Sequence, residues 1–239
     1  MKELTPTRDR RRVAAFVVLA AAVLTWYILA PHLGYAGHWP TIAIVAAGVL
    51  PATLGLVYLA LPLWSSRWMI VAAVAFGLIA FATWKLDSHL ASNFAKLAAY
   101  TCFGWAFLRL FEELAWVVLV AAIIPFVDAI SVAAGPTKAI VNHHVEVYSA
   151  VAVAFVAPAG GAAFLGPPDI IFFALFLAAA DRWRLRPAWT WLAMTGMYSL
   201  TLVTANVANV NGLPALPFLS AGFLLANCDL LWRRLRPAR

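Results

Sequence analysis

Charge is what this chain most lacks. Of 239 residues only 11% are Asp, Glu, Lys or Arg, against about 25% in a soluble domain. Acids are the scarcer sign, ten against 17 Lys and Arg. With 64% hydrophobic residues, the few charges cannot cover a soluble surface, which excludes an assembly of soluble domains. Cysteine is scarce too. Cys102 and Cys228 stand far apart in apolar surroundings, without the spacing of a metal site or a disulfide framework. No glycine-rich phosphate loop, Ser-His-Asp pattern or coherent zinc motif occurs. The basic residues gather beside apolar runs rather than in a stripe, so nucleic acid is not an expected partner.

What the chain has is apolar length and aromatic rings, with 11 Trp, 15 Phe and 6 Tyr. Aromatics gather at bilayer interfaces, and a membrane-crossing helix needs about 17–25 mostly apolar residues. The expected fold is therefore all-α, a polytopic helix bundle in the lipid bilayer with about eight spans. They are read at Val13–Ala30, Thr41–Leu63, Trp68–Trp84, Phe94–Leu110, Leu114–Ala134, Phe164–Ala180, Ala188–Asn209 and Leu213–Leu231. The first resembles a signal peptide behind Arg8, Arg10, Arg11 and Arg12, but it is long enough to span and reads as a retained anchor. A further apolar piece, Val147–Ala163, is interrupted by Pro158, Gly160 and Gly161.

The distribution of basic residues decides whether that piece crosses. With eight spans and the N-terminus inside, 14 fall inside: Lys2, Arg8, Arg10, Arg11, Arg12, Arg67, Arg109 and the seven arginines from Arg182 onward. Lys85, Lys96 and Lys138 are left outside. A ninth crossing reverses the bias to seven inside and ten outside. Eight crossings with both termini cytoplasmic follow, and Val147–Ala163 lies at or dips into the outer face. Short loops and the anchor point to a prokaryotic-type plasma membrane. The chain divides into a four-span half, 1–112, and a second half, 113–239, within one membrane domain.

Two acids stand out, because a charge at bilayer depth costs several kcal/mol and marks function by default. Asp128 follows Ile123-Ile124-Pro125-Phe126-Val127 toward the outer end of span five, and Asp169 follows Gly166-Pro167-Pro168 at the outer end of span six. Span parity puts both at similar depth. Two facing carboxylates share one proton, so one can activate water while the other protonates a carbonyl, with no metal or cofactor. The spacing equally fits two separate acids lining a polar cavity or a proton or cation path. Pro125 is expected to loosen its helix one turn before Asp128, and Gly135-Pro136 to end it. Pro167 and Pro168 suit a helix start. Pro214-Ala215-Leu216-Pro217 supplies an extended segment at the same membrane face.

Together these residues resemble the presenilin and signal-peptide-peptidase family of intramembrane aspartyl proteases. That family has one Asp in a helix, a second in Gly-x-Gly-Asp opening the next catalytic helix, and Pro-Ala-Leu-Pro in its last helix. Asp128 with its following Ala-Ile-Ser-Val matches the first position, Asp169 the second, and Pro214–Pro217 the third letter for letter. The resemblance runs from about Pro125 to Leu231. It implies hydrolysis of peptide bonds in membrane-embedded substrates, transmembrane or signal-peptide-like, with Asp128 and Asp169 catalytic. It also implies that Gly166, Pro167, Pro168, Pro214, Ala215, Leu216 and Pro217 border the substrate. Family members can pair an extended substrate with a strand near the aspartates, and the alternating run Val151–Val156 fits such an edge.

Gly-Pro-Pro-Asp stands where the family has Gly-x-Gly-Asp, eight spans stand for a common nine, and only 169 − 128 = 41 positions separate the acids. Outward-facing aspartates fit the peptidase branch. Prepilin peptidases share an aspartate pair and Gly-x-Gly-Asp, but Pro-Ala-Leu-Pro favours the first family. A proton or cation channel or transporter, and a silent peptide-binding homologue, are the competing classes.

The other polar residues read structurally. His143, His144 and Glu146 fit a solvated outer loop. Glu112 and Glu113 sit at a helix end beside Arg109, and Asp181 and Asp229 pair with neighbouring arginines. Asn206 and Asn209 are expected to hydrogen-bond between helices.

Overall fold

The computed structural model describes residues 6–134, 148, 150–210 and 213–235. Long apolar runs become helices because a chain without water to bond must satisfy its backbone internally. In order these are α1 (Pro6–Leu29), α2 (His38–Ile44), α3 (Leu50–Ala60), α4 (Met69–Lys85), α5 (His89–Phe107), α6 (Leu114–Ala134), α7 (Pro167–Arg182), α8 (Pro187–Val207) and α9 (Leu216–Leu235). A π-helical turn at Val45–Val49 joins α2 to α3. Among the described residues, three helical stretches are long and apolar enough to cross a membrane: Arg10–His32, His38–Ser65 and Leu114–Ser131.

Between α6 and α7 stands a small antiparallel hairpin, β1 (Val153–Val156) and β2 (Ala162–Leu165), in register Val153↔Leu165 through Val156↔Ala162. Gly160 at φ +77° lies in its turn, a conformation that favours glycine. The fold is mostly helical, consistent with an all-α bundle, and one expectation changes. The apolar run from Phe164 begins as strand, with the helix opening only at Pro167. The span expected over Leu114–Ala134 is α6, a helix with those bounds that holds Pro125 inside it. Gly135, Pro136, His143, His144, Glu146 and Val147 lie outside the described residues.

The centre of the bundle is α7. Phe173, Ala174, Leu175, Phe176, Leu177, Ala178, Ala179 and Ala180 are all fully buried, which marks a helix apolar on every side and packed on every side. Its neighbours include α5, α8 and α9, while α6 packs chiefly on α9. At the α5–α7 crossing an added Cβ on Gly104 would meet Ile171 O at 2.3 Å, so the backbones touch. Outward, α1, α4 and α6 expose large apolar side chains such as Val18, Leu78 and Phe126, a surface suited to lipid rather than water.

Arginines gather at one end of the bundle, where four of them cap the carbonyls of another element. Arg12 donates to Tyr58 O and Leu59 O, Arg109 to Ser65 O and Ser66 O, Arg182 to Leu108 O and Arg234 to Trp183 O. Arg186 forms a two-pronged ion pair with Asp229 at 2.7 and 2.9 Å. Asp181, expected to pair with an arginine, instead accepts from Trp64 Nε1 at 2.8 Å. The hairpin occupies the opposite end, about 20 Å away along α1 and α7 at 1.5 Å per residue.

Candidate functional site

Asp169 is the third residue of α7. Gly166 sits just ahead of the helix with extended backbone (φ −69°, ψ 164°), and Pro167 and Pro168 take the first two positions. A helix start leaves N–H groups without helical partners, and proline has none to leave. Asp169 turns its carboxylate back, and Oδ2 accepts the Gly166 N–H at 2.8 Å. The Tyr198 hydroxyl on α8 donates to Asp169 O at 2.8 Å, fixing the same turn from the other side.

Asp128 comes from α6 and is held by the third motif. Its Oδ2 accepts the N–H of Leu216 at 3.0 Å. That N–H belongs to the first residue of α9, where a helix lacks an internal acceptor for it. Pro217 follows, and Ala215 precedes with its side chain buried. Each carboxylate therefore binds one main-chain N–H at the start of a helix, and the two acids lie within Coulombic range of each other and of Tyr198. Asp128 and Asp169 are both partly buried.

A cavity of about 280 Å³ adjoins Asp169, reached by Tyr198, Ala215, Asn206, Thr201, Phe164 and Tyr148 among others. Asn206 does not bridge helices as expected. Its Nδ2 bonds Leu202 O in its own helix at 2.8 Å, and its side chain borders this cavity. Asn209 lies beyond the end of α8.

The hairpin delivers a strand edge to Asp169. Ala154 directs its N–H and C=O toward α5 and α1, not toward β2. In an antiparallel pair the residue opposite shares that orientation, so Phe164, opposite Ala154, and Ala162, opposite Val156, direct theirs away from β1. Gly166 continues the same alternation, and its N–H is the one that Asp169 accepts. Among the described residues the open edge is that of Ala162–Leu165, not the run Val151–Val156 that the sequence suggested, whose outward carbonyls are taken by α1 and α5.

Several residues of this site were not singled out from sequence. Trp26, Tyr27, Asn93, Lys96 and Tyr100 all donate to carbonyls of Val151–Val156. Lys96, counted with the charges on the outer side, is a buried residue of α5 donating to Ala152 O at 2.6 Å. The available signal was Asn93, Lys96 and Tyr100 at intervals of three and four, one polar face on an apolar helix. Among the described residues no cluster of His, Cys, Asp and Glu is placed to hold a metal ion. Set against protein-family models and curated proteins, the chain matches none.

Proposed function

We propose that the chain is an intramembrane aspartyl protease whose Asp128 and Asp169 share a proton and activate water against a peptide bond of a membrane-embedded substrate. One observation carries this reading: acids from α6 and α7 are each held by a helix-start N–H, and Asp169 and Ala215, the neighbour of the Leu216 that binds Asp128, line one cavity beside a strand edge. The contact of Leu216 with Asp128 gives the Pro-Ala-Leu-Pro segment a physical role in the dyad. Gly-Pro-Pro-Asp also acquires a use. Asp169 already takes the Gly166 N–H, and Pro167 and Pro168 have none, so a substrate strand laid along Ala162 and Phe164 finds no donor beyond Phe164 and leaves the ladder beside Asp169. There its carbonyls are freed for attack.

In this reading the chain crosses the bilayer eight times, with 1–112 as a supporting half and 113–239 as the catalytic half. The arginine end faces the cytoplasm of a prokaryotic-type cell with both termini. The hairpin and aspartates lie toward the outside, where a transmembrane or signal-peptide-like substrate unwinds onto β2. Water is the only co-reactant.

The test is reconstitution in liposomes with single-span substrates, comparing wild type with Asp128→Asn and Asp169→Asn. Discrete cuts within the span, reduced at least ~10³-fold by either substitution, are the expected result. Aspartate-dependent proton or cation flux without peptide products would replace the protease by a conduction path. Substrate retention with neither activity would make the chain a binding homologue.

A further inference from the structure

An edge strand offers a row of unpaired N–H and C=O groups that invites another strand. A two-stranded hairpin has two such edges, yet only one serves a cut beside Asp169. A segment paired outside β1 would lie about three strand spacings, roughly 14 Å, from one paired outside β2.

The β1 side is filled by side chains. Asn93 takes both main-chain groups of Ala154: Oδ1 accepts the Ala154 N–H at 2.7 Å, and Nδ2 donates to Ala154 O at 3.0 Å. A carboxamide carries one acceptor and one donor in a plane, as a peptide unit does, so Asn93 occupies the position of a residue in a third strand. The flanking outward carbonyls are taken as well. Lys96 Nζ donates to Ala152 O at 2.6 Å, Tyr27 Oη to Ala154 O at 2.8 Å and Trp26 Nε1 to Val156 O at 2.9 Å. These acceptors are spaced by two residues, the alternation of one strand edge. Two helices thus supply non-strand partners for the Ala154 N–H and for the outward carbonyls of Ala152, Ala154 and Val156.

We propose that Asn93 is a positioning residue that stands in for a strand and seals the β1 edge, leaving an extended substrate the β2 edge as its single place to pair. This rests on the protease reading above and specifies how that site chooses its cleavage position. Asn93 touches neither aspartate in this role. It acts through β1 on where the substrate lies.

The experiment uses the full chain in liposomes and a single-span substrate with a photocrosslinker along its outer half. Cross-linking is read at β1 and β2 by peptide mass spectrometry in an Asp169→Asn background, which separates binding from turnover. Cut positions are read with both aspartates present. Wild type should cross-link to β2 alone and give one dominant cut. Asn93→Ala should add cross-links at β1, spread the cuts over neighbouring positions and raise KM several-fold with kcat little changed. An unaltered cut pattern with cross-links confined to β2 overturns the proposal. Trp26→Phe keeps an aromatic side chain, though a smaller one, and removes the donor to Val156 O. It gives a milder opening if Asn93→Ala does not fold, judged by the same two results. Wild-type cross-linking at β2 without any cleavage would defeat the protease reading while keeping the sealed edge. Wild-type cross-linking at both strands would defeat the sealed edge alone.

Discussion

Asp128 and Asp169 each anchor one carboxylate oxygen on a main-chain N–H at a helix start, which fixes their positions. A pair working with one shared proton fails when both acids are protonated and when both are ionised. Cleavage should therefore follow a bell-shaped pH profile whose limbs belong to the pair, while Asp128→Asn and Asp169→Asn leave no such profile to measure. Glycine offers a sharper contrast. At Gly104 a methyl would stand 2.3 Å from Ile171 O and 3.0 Å from Ala174 Cβ, whereas at Gly77 nothing lies within 4 Å. Gly104→Ala should cost about 1–3 kcal/mol through overpacking. Gly77→Ala should be neutral or up to ~1 kcal/mol stabilising through helix propensity. Thermal unfolding in detergent, read side by side, checks both.

At the scale of the element, the hairpin carries the function or it does not. Phe164 directs its N–H away from β1, so Phe164→Pro deletes one donor from the open edge and leaves the β1–β2 ladder intact. Substrate cleavage should fall at least tenfold, mostly in KM, while Phe164→Ala, which loses the ring but keeps the N–H, should fall far less. Equal losses in the two variants, measured as kcat/KM, would mean that the ring and not the edge matters. Parts of this element were legible in the sequence. Ionisable residues in apolar runs stand out, which is why Asp128, Asp169 and the Pro-Ala-Leu-Pro segment were readable, and the prolines at 167 and 168 correctly mark a helix start. The alternation over Val151–Val156 also reads as strand. Its partner does not, because Ala162-Ala163-Phe164-Leu165 continues an apolar run and a short apolar run has no period of its own. The covered side of β1 depends on Asn93, 61 positions away from Ala154. No local pattern encodes a contact of that span, and beginning the fourth span at Phe94 cut Asn93 out of its own helix.

Across the whole molecule the two ends of the bundle differ in chemistry. Arginine-capped carbonyls gather at one, and the hairpin with its acids at the other. The bias of basic residues that orders the spans in sequence is also a set of bonds that ties helix ends together. The described helices follow the apolar runs of the sequence, since length and hydropathy decide a helix in lipid. Their packing order was not legible, because α7 resembles its neighbours in composition and only burial sets it apart. That central seat has a mechanical corollary. A rod enclosed on every side cannot shift without opening voids, at about 24 cal/mol per Å³, whereas α6 presents Phe126, Val127 and Ile130 outward at 71%, 60% and 67% exposure. If the chain is the protease proposed above, Asp169 should be the stationary jaw and Asp128 the travelling one, with a long guest admitted by α6 swinging from α9. A disulfide stapling α6 to α9 should arrest turnover of full spans but spare short soluble peptides, while one joining α5 to α7 should slow neither.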